Sequence, residues 1–192
     1  QSRSFIIQAA EGAQVILTGQ NNHRIFEVIN SPQAHIVFKG ITFANGYDSS
    51  SAHGAGVTIR NSNVTFLDCI FQNNKQVGYR YNMSAASVYL DSGSTVNFFN
   101  NIFRNNSSED GGSGIATRES TINVHNSQFL DNTTTSTTYL GVPVGGGINI
   151  VNSKARITNS RFSGNNTFVH GAGIYIIGEW FTNGSDVIVA NS

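Results

Sequence analysis

The sequence predicts an all-β protein: a single-stranded right-handed parallel β-helix, a solenoid of about six coils with three short strands in each coil. Three observations predict it: a repeat of 26 to 33 residues, short strands of alternating polarity, and turn residues at fixed positions between those strands. Because the repeat extends over most of the chain, residues 1–192 are predicted to form one domain.

The repeat is anchored by a phenylalanine that Asn, or in one case Gly, follows three residues later. The segment before each phenylalanine keeps its length, whereas the segment after it varies. We therefore expect strands that stack in register and one loop of variable length in each coil. Equivalent side chains would then lie above one another, about 4.8 Å apart, with phenylalanine on phenylalanine inside the coil. The anchoring residues are Phe43, Phe71, Phe103, Phe129 and Phe162.

The first strand of each coil lies just before this phenylalanine. In the coil of Phe71, the apolar residues Val64 and Phe66 alternate with residues that are expected to face solvent. A turn residue stands three positions before each phenylalanine, where Asn, Asp and Gly tolerate the left-handed backbone that a sharp corner needs. These turn residues are Gly40, Asp68, Asn100, Asn126 and Asn159.

A further strand in each coil begins with small residues. The segment 186–192 then matches the first strand once more, but the next phenylalanine is missing. We therefore expect further coils or another domain after Ser192. The pattern Gly-x-Gly-hydrophobic begins at Gly54, Gly112, Gly145 and Gly171, and Ala85-Ala-Ser-Val replaces it in one coil.

The composition excludes several classes of function. The chain has 11 basic and 11 acidic residues, so it lacks the cationic surplus with which proteins bind nucleic acid. No apolar segment approaches the length of about 20 residues that spans a bilayer, so direct membrane insertion is not predicted. No zinc spacing, phosphate-binding glycine loop or nucleophile elbow occurs, so neither a metal nor a cofactor is predicted. The single cysteine, Cys69, lies at an inward position and is predicted to be a buried, inert thiol.

The combination of Phe-x-x-Asn with a glycine-rich tetrapeptide resembles the repeats of polymorphic outer membrane proteins and of related pectin-lyase-like β-helix proteins. The first motif is literal at Phe71, Phe103, Phe129 and Phe162, whereas the Gly-Gly-Ala-Ile-like motif is degenerate. The resemblance covers residues 15–192 and implies an extracellular or cell-surface location. It also implies a structural or adhesive module. The expected partners of such a module, polysaccharides or surface proteins, follow from the loop residues described below.

The alternative function is that of a polysaccharide lyase or a glycoside hydrolase on the same scaffold. Such a lyase needs clustered carboxylates for calcium and an Arg or Lys as base, and a glycosidase needs two carboxylates about 5 to 9.5 Å apart. No carboxylate occurs in the outward rows six and four positions before each phenylalanine, so no catalytic residue is predicted. These rows are Val37, Thr65, Asn97, Asn123 and Arg156, and Lys39, Leu67, Phe99, His125 and Thr158.

Ligand binding is predicted instead on the longest loops, because repeat proteins place recognition on loops. Tyr79, Arg80 and Tyr81 lie on one loop and Tyr139 lies on another, and a tyrosine beside an arginine can stack on a sugar ring or anchor a protein. Alternatively, these aromatic side chains fold back and cover the coil wall. If the protein is secreted by a eukaryote, glycosylation is also predicted. The candidate glycosylation sites are Asn63, Asn82, Asn105, Asn106, Asn132, Asn165 and Asn183.

Overall fold

The computed structural model describes residues 3–50, 53–78, 84–109, 111–135, 145–168, 170–178 and 184–192. These residues form 22 β-strands, and the strands of successive coils pair in parallel. The protein is therefore the right-handed parallel β-helix that the repeat predicts. It has about five turns, slightly fewer than the expected six.

The strands form three sheets of 11, 6 and 5 strands. The first sheet contains β1 Ser4–Gln8, β3 Phe26–Lys39, β6 Val57–Leu67, β9 Val88–Asp91, β10 Thr95–Phe99, β13 Ile115–Arg118, β14 Thr121–His125, β17 Ile148–Val151, β18 Lys154–Thr158, β21 Ile174–Ile177 and β22 Asp186–Ala190. The second sheet contains β2 Val15–Thr18, β4 Ile41–Ala44, β7 Ile70–Gln72, β11 Ile102–Arg104, β15 Gln128–Leu130 and β19 Arg161–Ser163. The third sheet contains β5 Tyr47–Asp48, β8 Lys75–Gln76, β12 Ser107–Ser108, β16 Thr133–Thr134 and β20 Asn166–Thr167.

One coil contains four strand segments rather than the expected three. In the coil of Phe103 these segments are β10, β11, β12 and β13. The first and the last of these segments belong to the same sheet. In the early coils the two kinds of segment are joined without a break in one long strand, β3 or β6, whereas in later coils a corner separates them. The segment that the sequence analysis missed is the strand of the third sheet, because an alternation of polarity is not visible over two residues.

Single residues in the left-handed backbone conformation make the corners. All five predicted turn residues have a positive φ, from +49° at Asn126 to +66° at Gly40, which confirms that prediction. The two other corners of a coil are left-handed as well, for example at Asn73 and at Asn61. Asparagine suits these positions because its short amide lowers the cost of this conformation.

The phenylalanines of the repeat form one internal column, as predicted. Phe71, Phe103 and Phe129 are fully buried and in register, and the ring centroids of neighbours lie 4.6 to 4.7 Å apart. A second column contains Phe66 and Phe98, and Phe66 meets Phe71 edge-on at 5.2 Å. Burial of each phenylalanine stabilises the fold by about 1.5–3 kcal/mol. These columns therefore hold the coils together and set their register.

The asparagines of the same motif form another column, which we call the asparagine ladder. It contains Asn74, Asn106 and Asn132, which are fully buried, and Asn165, which is partly exposed. Nδ2 of Asn74, Asn106 and Asn132 donates to Oδ1 of the next asparagine along the ladder, at 3.1, 2.8 and 2.9 Å respectively. The same Oδ1 atoms also accept the backbone N–H of the asparagine one coil earlier. Each Nδ2 further donates to the carbonyl of a phenylalanine in the preceding coil. Phe-x-x-Asn is therefore a packing motif, in which Phe fills the core and Asn supplies hydrogen bonds to the backbone groups of the corner.

The glycine-rich tetrapeptide follows from close approach of the backbone. A Cβ atom on Gly54 would lie 2.2 Å from the carbonyl oxygen of Val57, three residues later. A Cβ atom on Gly56 would lie 2.5 Å from the carbonyl oxygen of Ser87 in the next coil. Both distances are too short for a real contact, so a larger residue would push the backbone segments apart. The glycine-rich motif is therefore explained by backbone packing and does not indicate a ligand-binding site.

Candidate functional site

The outer surface of β6, β10 and β14 carries three parallel columns of side chains that point away from the core, and we call this surface the outer face. The strands pair in register, so equivalent residues of successive coils are direct neighbours. Except for Thr65, which is 7% exposed, these side chains are partly exposed. The columns are Asn63, Thr95 and Thr121; Thr65, Asn97 and Asn123; and Leu67, Phe99 and His125.

The middle column is a chain of hydrogen bonds. Nδ2 of Asn123 donates to Oδ1 of Asn97 at 2.9 Å, and Nδ2 of Asn97 donates to Oγ1 of Thr65 at 3.3 Å. At the end of the column, Nε2 of His35 lies 2.9 Å from the same hydroxyl oxygen. A side-chain amide has two donor hydrogens and two acceptor lone pairs. The two bonds of Asn97 and the one bond of Asn123 therefore orient these amides and leave hydrogen-bonding capacity for a ligand.

The neighbouring column supplies an apolar surface. The rings of Phe99 and His125 lie with their centroids 6.3 Å apart at an angle of 60°, and Leu67 extends the column by one coil. Nδ1 of His125 lies 2.8 Å from Oγ1 of Thr158, which holds the imidazole in place. A sugar ring has an apolar C–H face and an edge of hydroxyl groups. A partly exposed aromatic ring can pack against the C–H face while the neighbouring amides form hydrogen bonds with the hydroxyl groups.

Cationic residues lie at one end of the outer face. Lys154 and Arg156 on β18 are exposed and are in register with Thr121 and Asn123. With Asp186 they help to line a shallow groove of about 140 Å³ on this surface. A larger groove of about 430 Å³ continues around the adjacent corner and is lined by Glu119, Lys154 and Asp186, among others.

A separate cluster surrounds Tyr89, on the other segment of the first sheet. The tyrosine is 2% exposed, its hydroxyl donates to Oδ2 of Asp91 at 3.2 Å, and the guanidinium of Arg60 lies 5.9 Å from its ring centroid. Arg60 also donates to Nδ1 of His53 at 2.9 Å. Burial, followed by the charge of Asp91, raises the pKa of Tyr89, whereas burial, followed by the charges of Arg24 and Arg60, lowers the pKa of His53.

This cluster stabilises the wall of the coil rather than preparing a nucleophile, because its tyrosine is held in the protonated form. The sequence analysis missed it. Arg60 and Asp91 come from successive coils and become neighbours only through the register of β6 and β9. The sequence signal that could have found the pair is an Arg and an Asp at equivalent positions of adjacent repeats.

Cys69 is fully buried, as predicted. Its Sγ donates to the carbonyl of Leu67 at 3.3 Å, and burial raises the pKa of the thiol to about 11. A protonated thiol without access to solvent is a poor nucleophile, so Cys69 has a packing role. Among the described residues, no group of three or more His, Cys, Asp or Glu side chains is placed to hold a metal ion.

The predicted glycosylation sites differ in accessibility. Asn106 and Asn132 are fully buried in the asparagine ladder, so the folded chain has no space for a glycan on either Nδ2, and the prediction is corrected at these two positions. Asn105 is exposed, whereas Nδ2 of Asn63 donates to a carbonyl oxygen at 2.7 Å and Nδ2 of Asn165 does so at 2.8 Å. Two further candidates, Asn82 and Asn183, lie outside the described residues.

The predicted ligand-binding residues Tyr79, Arg80, Tyr81 and Tyr139 also lie outside the described residues, so they stay predictions. Within the described part of the chain, no helix is long and apolar enough to cross a membrane. The site with the clearest chemistry is therefore the outer face, which the sequence analysis had searched only for carboxylates.

Comparison with known proteins agrees with the fold. A family described as "Right handed beta helix region" matches residues 7–192. The comparison with curated proteins found no match, and neither did the comparison with solved structures. The matched residues include every Phe, Asn and Gly position of the repeat described above. The chain belongs to the right-handed β-helix family.

Proposed function

We propose that the chain is a rigid module of an extracellular or cell-surface protein and that it binds polysaccharide along the outer face. One observation carries the proposal: the aromatic column of Phe99 and His125 lies directly beside the amide column of Asn97 and Asn123. A polysaccharide needs both kinds of contact, because its sugar rings have apolar faces and hydroxyl edges. The resemblance to surface β-helix proteins supports the location and the adhesive role.

The interior supports the first part of the proposal, which is rigidity. Stacked phenylalanines and the asparagine ladder connect each coil to the next through both packing and hydrogen bonds. A ligand on the outer face would therefore meet donors and acceptors whose spacing is fixed before binding, which lowers the entropic cost of association. Surface proteins are a further class of proposed partner, through the segments that the sequence predicts to be loops and that contain Tyr79, Arg80, Tyr81 and Tyr139. Nucleic acid is not a proposed partner, because the chain has no net charge. Membrane insertion is not proposed either, because no apolar segment approaches the length of about 20 residues that spans a bilayer.

The proposal is tested by binding to soluble linear polysaccharides, both neutral and acidic, with affinity electrophoresis followed by calorimetry. We expect Phe99→Ala to weaken binding about tenfold, because it removes one ring that stacks on sugar. The matched control is Ile102→Ala. Ile102 lies in the same coil and is also partly exposed, but it is on the second sheet. Equal losses in the two variants, or no binding by the wild type to any of these polymers, would refute the proposal.

A second candidate function is that of a glycoside hydrolase or polysaccharide lyase, and one observation favours it. Glu119 and Asp186 line the same groove, together with Lys154, so carboxylates and a base candidate share one surface. Release of reducing ends or of unsaturated ends from a bound polysaccharide tests this function. If the groove is catalytic, Glu119→Gln and Asp186→Asn abolish release while binding persists. No release by the wild type from a polymer that it binds would exclude catalysis.

A further inference from the structure

Asparagine occupies many of the left-handed corners, and Gly or Ser often follows it. In a flexible chain, a small following residue makes asparagine prone to deamidation, because the next backbone nitrogen then reaches the side-chain Cγ with little hindrance. Asn45-Gly46 is such a pair, and Asn126-Ser127 is another. Asn45 has φ of +56° and Asn126 has φ of +49°, so both are corner residues.

The chemistry at the first pair needs only water. A bond forms between the nitrogen of Gly46 and Cγ of Asn45, and the bond between Cγ and Nδ2 breaks. Nδ2 leaves as ammonia and takes the proton that the Gly46 nitrogen has lost. Water then opens the resulting succinimide ring to give either aspartate or isoaspartate at position 45. No oxidation or reduction occurs, and hydroxide acts only as a catalyst.

In the folded protein the attacking nitrogen is already engaged. The N–H of Gly46 donates to Oδ1 of Asn74 in the next coil at 2.8 Å, and this bond is buried. Gly46 also packs so closely on the carbonyl of Ala55 that a Cβ atom would lie 2.2 Å from its oxygen. The nitrogen can therefore approach Cγ of Asn45 only when this corner opens.

The same arrangement recurs at a distant corner with a different side chain. The N–H of Ser127, which follows Asn126, donates to Oγ of Ser160 in the next coil at 3.2 Å. In both places a side chain of one coil holds the nitrogen that would otherwise attack the asparagine of the coil before it. The protection is local, because each corner depends on its own acceptor.

We propose that Asn45 is a latent deamidation site, which the side chain of Asn74 keeps unreactive, and that the side-chain ladders between coils protect the corner asparagines from chemical ageing. This modification site is independent of the proposed polysaccharide binding. The proposal predicts that each corner asparagine deamidates at a rate set by the opening of its own corner. In a flexible chain, by contrast, the residue that follows each asparagine would set the order of these rates.

The first measurement needs no variant. The protein is incubated at mildly alkaline pH in water labelled with ¹⁸O, both folded and in urea, and the label at Asn45 is measured by mass spectrometry of peptides. We expect the folded chain to deamidate at Asn45 about 100-fold more slowly than the unfolded chain, because the reaction has to await local opening. Equal rates in the two states would overturn the proposal.

Two matched variants then test which contact protects which site. Asn74→Ala removes the acceptor of Gly46 and should accelerate deamidation at Asn45 about tenfold, with Asn126 unchanged. Ser160→Ala removes the acceptor of Ser127 and should accelerate deamidation at Asn126, with Asn45 unchanged. If each variant accelerated both sites equally, global unfolding would be the cause, and local protection by the ladders would be refuted.

Discussion

The asparagine ladder and the middle column of the outer face use the same side chain in two different environments. In the ladder, Asn106 is fully buried, and its side-chain amide forms hydrogen bonds with two neighbouring asparagines and with a backbone carbonyl. On the outer face, Asn97 and Asn123 are partly exposed, and a single hydrogen bond joins their amides. The difference teaches that burial decides the role of a stacked amide: the buried one is part of the scaffold, and the exposed one is available to a ligand.

The largest expected effect is on the buried side of this comparison. Asn106→Ala leaves the buried Asn74 N–H without its acceptor, and it removes one donor from Asn132 Oδ1, which keeps the backbone N–H of residue 106, and one donor from a phenylalanine carbonyl. We expect the free energy of unfolding to fall by about 3 kcal/mol, because an unsatisfied buried donor costs about 1–3 kcal/mol and each further lost hydrogen bond costs about 1 kcal/mol. Urea unfolding followed by circular dichroism measures this change. A loss below that of an ordinary surface substitution would show that the ladder is not a source of stability.

A smaller effect is expected at Cys69, which lies in another buried ladder. Its backbone N–H donates to Oδ1 of Asn101, and burial raises the pKa of its thiol to about 11 from an ordinary value of 9.0. The unfolded thiol ionises near pH 9 while the folded thiol stays protonated, so the folded state binds more protons above that pH. The stabilising contribution of the thiol is therefore present below pH 9 and is lost as the pH rises through about 11.

Cys69→Ser tests this pH dependence directly. Serine fills the equivalent position in later coils, where Oγ of Ser127 donates to the carbonyl two residues before it, as Sγ of Cys69 does. We expect the variant to keep its stability at pH 7 within about 1 kcal/mol, because a hydrogen bond replaces a hydrogen bond. Its loss of stability between pH 9 and 11 should be smaller than that of the wild type. Identical alkaline profiles would show that another group titrates there.

The smallest effect on stability is expected on the exposed side of the comparison. Asn123→Ala removes one hydrogen bond from a partly exposed position, so we expect a change within about 0.5 kcal/mol in the free energy of unfolding. The same variant should weaken binding of a polysaccharide severalfold, because it removes a donor from the middle of the outer face. A large loss of stability together with unchanged binding would reverse the roles that we assign to the two columns.

The sequence was sufficient to predict the parts of the fold that repeat. Phe71, Phe103 and Phe129 recur at one position of each coil, so their stacking followed from the period alone. The left-handed corners were predictable for the same reason, because Asn, Asp and Gly recur there. The third sheet was missed because strands such as β12 have only two residues. The buried state of Asn106 was also missed, since a sequon looks the same on a loop and in a ladder.

The candidate site was harder to predict because its residues recur without being identical. Asn97 and Asn123 were assigned to an outward row, but that row was searched only for carboxylates. A column of amides was therefore not recognised as a candidate site. The cluster around Tyr89 depends on Arg60 and Asp91, which are 31 residues apart and become neighbours only when two coils stack. Contacts between coils at non-repeating positions need the register, which a single sequence gives only indirectly.

The parallel pairing of successive coils also determines how the module responds to mechanical force. Backbone hydrogen bonds between coils, such as those that join β10 to β14, run along the axis of the solenoid. Tension applied along that axis pulls these bonds in their own direction, so the coils should peel apart one after another at low force and dissipate energy gradually. Tension applied across the axis must shear many such bonds together. A tether that carries this module would therefore be extensible lengthwise and stiff sideways.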